Sequence, residues 1–140
     1  MLLDLTSFRK AVASLEAALK VAQGLSSSSA KSEEEANVIR AGVIQNFEFT
    51  YELCWKFMKR WLENNVGSAY VEGVARRELF RRARESRLIT EVEPWMIYHD
   101  ARNQTAHTYD LAKAGEIFEV ATPFLKDAKA LLAALESRND

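Results

Sequence analysis

The chain holds two histidines, His99 and His107, and both lie in or beside the stretch Arg102-Asn103-Gln104-Thr105-Ala106-His107-Thr108-Tyr109. These eight residues combine a permanent cation, an amide, an imidazole and a phenol. Histidine titrates near neutrality, so it can take a proton from a ribose 2′-hydroxyl or give one to a leaving 5′-oxygen. Arginine offers a planar fork that matches phosphate oxygens and stabilises charge building on phosphorus. Together they suffice for cleavage of RNA by internal transesterification without a metal. Asn103 can orient His107 or hold a phosphate. Tyr109 adds a hydroxyl nucleophile or acceptor just past the histidine.

Spacing constrains how these groups meet. On one continuous helix Asn103 and His107 stand at i, i+4 and touch, with His99 one step back on the same stripe. Arg102 then points about 140° away from His107 at roughly 100° per residue. The pair therefore needs a helix end between the two residues, or a second subunit. Asp110, a good helix cap, makes an early end reasonable. The plainer reading is that Arg102 is a surface cation and His107 packs near a helix end.

The rest of the chain must position this stretch. Only five glycines and two prolines punctuate 140 residues, and the segments between them carry helical periodicity. Asp4 or Thr6 caps a first helix to about Gln23, with Leu5, Phe8, Val12, Leu15, Leu19 and Ala22 on one stripe. Residues 25–31, a serine run, read as a flexible linker. Ser32 before Glu33-Glu34-Glu35 starts a long second helix to about Asn64. Its wide apolar face, built on Ile39, Val43, Phe47, Cys54, Trp55, Met58 and Leu62, suits a bundle centre or a subunit interface. A third helix is expected over Val71 to Ser86, with Ala75, Leu79 and Ala83 inward. Thr90 to Pro94 begins a fourth, and Asp110 caps a fifth over Leu111 to Ser137, interrupted or kinked at Pro123. No stretch alternates with period two. The expected fold is all-α, an up-and-down antiparallel bundle of four to five helices in a single domain, 1–140.

Composition removes several functions. A net charge of −1 and a pI near 6.2 leave no global pull toward nucleic acid or anionic lipid. No window is apolar enough to span a bilayer, and the N-terminus lacks a basic region before an apolar core, so no signal peptide and no membrane partner are expected. The single cysteine, Cys54, reads as a buried reduced thiol in a cytoplasmic protein. No metal site and no cofactor are expected: the ligand spacing is absent, and Gly42, Gly67, Gly73 and Gly115 are isolated. The third helix carries Arg76, Arg77, Arg81, Arg82 and Arg84, of which Arg77, Arg81 and Arg84 share an outward stripe. That stripe is either a solvated face with Glu78–Arg82 pairing or a surface for RNA or an acidic partner.

Arg102-Asn103-x-x-x-His107 resembles the R-x4-6-H signature of the HEPN superfamily, and the extension to Tyr109 resembles the HepT-type toxins, also known as nucleotidyltransferase substrate-binding proteins. The resemblance covers nearly the whole chain. It includes the long aromatic helix with Phe47-Glu48-x-x-Tyr51-Glu52-x-x-Trp55-Lys56 and the Arg-rich segment ahead of the motif. It implies a homodimeric helical bundle encoded beside a minimal nucleotidyltransferase that acts as antitoxin. Arg102 and His107 would form the ribonuclease centre, with Asn103 assisting. Tyr109 would be silenced by AMP transfer from the partner (AMPylation). The alternative is a non-catalytic subunit that helps that nucleotidyltransferase bind its substrate; a helical dimer whose motif residues only pack is the third.

Overall fold

The computed structural model describes residues 2–24 and 32–139, so the linker expected over 25–31 lies outside the described residues. Among the described residues five α-helices form an all-α bundle: α1 (Thr6–Gly24), α2 (Glu33–Asn65), α3 (Arg76–Glu85), α4 (Glu93–Asn103) and α5 (Leu111–Ser137). Two short 3-10 turns interrupt the order, Ser68–Tyr70 before α3 and Thr105–His107 between α4 and α5. Helix α2 is the spine, about 50 Å long at 1.5 Å per residue. It packs against α1, α5, α3 and α4, which is why its apolar face is so wide.

Local chemistry sets the boundaries. Ser32 caps α2 by accepting from the Glu35 backbone N–H at 3.1 Å, and three glutamates follow at the positive end of the helix dipole. Asp110 caps α5 by accepting from Ala112 N–H at 2.9 Å. Pro94 stands in the first turn of α4, where its missing N–H costs nothing. Pro123 is exposed inside α5, and the helix continues through it. The third helix starts later than its periodicity suggests. Residues 68–75 make a 3-10 turn and a loop first, and Ala75 is the exposed cap of α3, where an inward position was expected. Gly67, at φ 138°, opens that 3-10 turn in a conformation closed to other residues.

The core beneath the motif is aromatic. Phe124 of α5 meets Phe47, Trp95 and Tyr98 edge-on, at centroid distances of 4.9, 6.0 and 5.2 Å. These contacts lock the middle of α5 to α2 and α4. At the far end Phe8 stacks on Phe57 at 5.6 Å. The chain ends are joined by a pair of hydrogen bonds between Asn139 and the Leu3 backbone, at 2.8 and 2.9 Å.

Candidate active site

Helix α4 ends at Asn103, and Thr105–His107 turn away as a 3-10 segment before Asp110 caps α5. The helix end required between Arg102 and His107 is therefore present. It does not bring the two together: among the described residues no hydrogen bond or ion pair joins them. The i, i+4 relation that a continuous helix would give Asn103 and His107 does not arise, because α4 stops first, and among the described residues no hydrogen bond joins them. Asn103 turns back one step to His99, with its amide 3.4 Å from Nε2.

Arg102 is not a loose surface cation. Its side chain is 30% exposed, and its guanidinium lies 3.7 Å from Glu48 Oε1 and 3.9 Å from Glu52 Oε2, both on α2. Its Nη1 donates to Thr105 Oγ1 at 3.1 Å, and that hydroxyl donates to the Arg102 carbonyl at 2.8 Å. Glu52 is fixed in turn by the Trp55 indole N–H at 2.8 Å. Glu48 and Glu52, one turn apart on α2, thus form an anionic seat for the motif arginine. Sequence reasoning placed both in the aromatic helix but gave them no role; the i, i+4 acidic pair set among the aromatic residues 47–55 was the available signal.

His107 and Tyr109 stand on the solvent side. Tyr109 is 83% exposed, and its hydroxyl is 3.5 Å from His107 Nδ1, with the rings edge-on at 6.0 Å. His107 is exposed as well. An accessible imidazole, an accessible phenol and a seated guanidinium therefore emerge at one junction between α4 and α5.

Behind the motif lies a polar network absent from the sequence reading. Tyr51, fully buried on α2, has its hydroxyl 2.9 Å from His99 Nδ1 and accepts from Arg76 at 3.3 Å. Arg76 also lies over the Trp55 ring at 3.8 Å. Burial holds the Tyr51 hydroxyl well above its ordinary range, so it stays protonated. Burial, then the Arg76 charge, holds His99 below the ordinary imidazole value, so it is neutral at pH 7.

The outward arginine stripe is exposed but engaged. Arg77 pairs with Glu93 at 2.5 Å, Arg81 with Glu78 at 3.4 Å, and Arg84 donates to the Thr90 carbonyl at 3.3 Å. Glu78 also pairs with Arg82 at 3.3 Å, the i, i+4 bridge anticipated for a solvated face. Cys54 is buried, and desolvation raises its thiol well above the usual range. Among the described residues no group of three or more metal-ligating side chains gathers. No helix there is long and apolar enough to cross a membrane.

Residues 3–137 match the family described as nucleotidyltransferase substrate binding protein like. A Haemophilus influenzae protein named probable ribonuclease HepT is 38% identical over 100 residues, 71% of this chain and 68% of that relative. A solved Haemophilus influenzae structure, described as the fold of a substrate binding domain of a nucleotidyltransferase, superposes with a TM-score of 0.90 at 30% identity. It covers 95% of this chain and 99% of its own. A Thermus thermophilus structure superposes with a TM-score of 0.63 at 28% identity, over 86% of this chain and 98% of its own.

Proposed function

The chain belongs to the nucleotidyltransferase substrate binding protein like family, and from that premise we propose that it is the toxin of a HEPN/minimal-nucleotidyltransferase toxin–antitoxin pair. In this reading it is a cytoplasmic homodimer that cleaves RNA without a metal. His107 removes the 2′-hydroxyl proton, and the 2′-oxygen attacks the adjacent phosphorus. The 5′-oxygen leaves with a proton, giving a 2′,3′-cyclic phosphate and a 5′-hydroxyl. Arg102 stabilises the charge on the phosphoryl oxygens, and Asn103 helps hold them.

The observation that carries the reading is the exposed Tyr109 hydroxyl 3.5 Å from His107 Nδ1, one turn past a seated Arg102. Such a hydroxyl is open to a partner enzyme. Its attack on the α-phosphorus of ATP would leave a tyrosyl-AMP ester and release pyrophosphate. That bulky anion would sit against the very imidazole the cleavage needs. The relative named as a probable ribonuclease supports the same reading.

The test pairs purified protein with single-stranded RNA in excess EDTA. Cutting that His107→Ala abolishes is the expected result; intact RNA overturns the reading. Incubation with the cognate nucleotidyltransferase and ATP should then add mass in AMP units, lost in Tyr109→Phe. The alternative, a non-catalytic subunit assisting a nucleotidyltransferase, is favoured by the description of the solved Haemophilus structure. It requires a stable complex and stimulated nucleotide transfer with no RNA cleavage.

A further inference from the structure

Tyr51, His99 and Asn103 form a chain whose direction is fixed by one donor-only neighbour. The Tyr51 hydroxyl touches two groups, an Arg76 Nη1 at 3.3 Å and His99 Nδ1 at 2.9 Å. A guanidinium can only donate. The phenolic group is buried, so leaving its proton unpaired is costly, and among the described residues the acceptor it meets is His99 Nδ1. Nδ1 must therefore be bare, and the neutral ring carries its proton on Nε2. Asn103 Nδ2 lies 3.4 Å from Nε2 at an exposed contact. With Nε2 protonated, two donors would oppose each other there, so the amide turns over to set its oxygen toward His99, its two ends being interchangeable in shape.

We propose that His99 is a positioning residue: as the Nε2–H tautomer it holds the Asn103 carbonyl inward and presents the Asn103 NH2 group outward as a free donor. The hydrogen bonds then run Arg76 to Tyr51 to His99 to Asn103, from a half-buried cation to the first residue after the motif arginine. Each link of the chain then has one donor and one acceptor, and the Asn103 NH2 group at its end is left free. The charged groups around His99 are Glu52 from α2, Arg76 from α3, and Asp100 and Arg102 from α4. The free NH2 group suits an anionic oxygen, and its use on a phosphate rests on the ribonuclease reading above. The tautomer itself does not.

The experiment uses the full chain labelled with 15N at histidine, with the His99 signals assigned by their loss in His99→Gln. At pH 7.5 the His99 Nε2 should resonate as a protonated nitrogen and Nδ1 as a bare one. In Tyr51→Phe, where Nδ1 loses its donor, the two should move toward averaging. An Nδ1–H tautomer, or a doubly protonated ring at that pH, overturns the proposal. On a fluorogenic single-stranded RNA oligonucleotide, His99→Ala should lower kcat about five- to tenfold, the worth of one oriented hydrogen bond, with KM little changed. His99→Gln keeps an N–H for Asn103 and should recover most of that loss. Glutamine no better than alanine overturns the link to Asn103. Wild-type protein that leaves the RNA intact refutes the ribonuclease reading alone, and the 15N spectrum still decides the tautomer.

Discussion

Arg102 and Glu52 approach to 3.9 Å through Nε and Oε2, yet Nε is buried and has no hydrogen-bond partner. The arginine is held by charge without its donors being saturated. Glu48, at 3.7 Å, adds a second carboxylate at the same kind of distance. The seat therefore restrains the guanidinium while leaving N–H groups for an incoming anion. It is also partly solvated, which keeps the stability of each pair small.

Removing the seat and removing the fork should consequently separate. Glu52→Gln keeps an acceptor for Trp55 and loses only the charge. It should change unfolding free energy by less than about 1 kcal/mol and lower RNA cleavage about threefold. Arg102→Lys keeps the charge and loses the planar fork, and should cost on the order of 100-fold in kcat. Urea titrations and cleavage rates measured side by side read both effects. Near wild-type cleavage by the lysine variant would remove Arg102 from the chemistry.

The order and type of the helices were legible because the chain states its boundaries in side chains. Ser32 and Asp110 are caps whose oxygens find backbone N–H groups two or three residues on. The stripes of α1, α2 and α5 repeat with helical period, and those residues are the core. What could not be read was tertiary or conformational. Nothing in the spacing of Tyr51, Arg76 and His99 announces that they meet, since they come from three helices. Spacing alone left open whether the helix runs on to His107; a 3-10 turn begins two residues after Asn103 and decides it. The end of α3 fell within one residue of its expected place although its closing signal is unusual: the residue after its cap is Arg87, at φ 62°, where glycine is the usual residue.

That position supplies a clean test of backbone strain. Leu88 N–H bonds the Ala83 carbonyl at 2.9 Å and Arg87 N–H the Arg84 carbonyl at 2.9 Å, so the left-handed turn closes α3. A β-carbon costs roughly 1 kcal/mol in that conformation. The Arg87 side chain is exposed, and among the described residues it enters no hydrogen bond or ion pair that would offset it. Arg87→Gly should therefore raise stability by about 0.5–1 kcal/mol, despite the added freedom of glycine in the unfolded chain. Thermal or urea unfolding checks it, and a loss of stability would show that the arginine side chain contributes more than its exposure suggests.

Among the described residues no hydrogen bond or ion pair joins Arg102 and His107 although the helix ends between them, so in the proposed dimer the second copy completes the site. The broad face of α2 is spent inside the chain, and the exposed Val38, Phe49, Ile97 and Leu111 are the apolar surface left for a second copy. If Arg102 of one protomer works with His107 of the other, each single variant is dead as a homodimer. Mixed dimers of Arg102→Ala with His107→Ala regain one whole site, because each chain donates the residue the other lacks. Random re-pairing makes half of the dimers mixed, so activity should return to about a quarter of wild type. The two variants are unfolded together in urea, refolded as a mixture, and assayed on RNA beside each variant refolded alone. A mixture as inactive as its parts would place the pair within one chain and require α4 and the turn to His107 to rearrange on binding RNA.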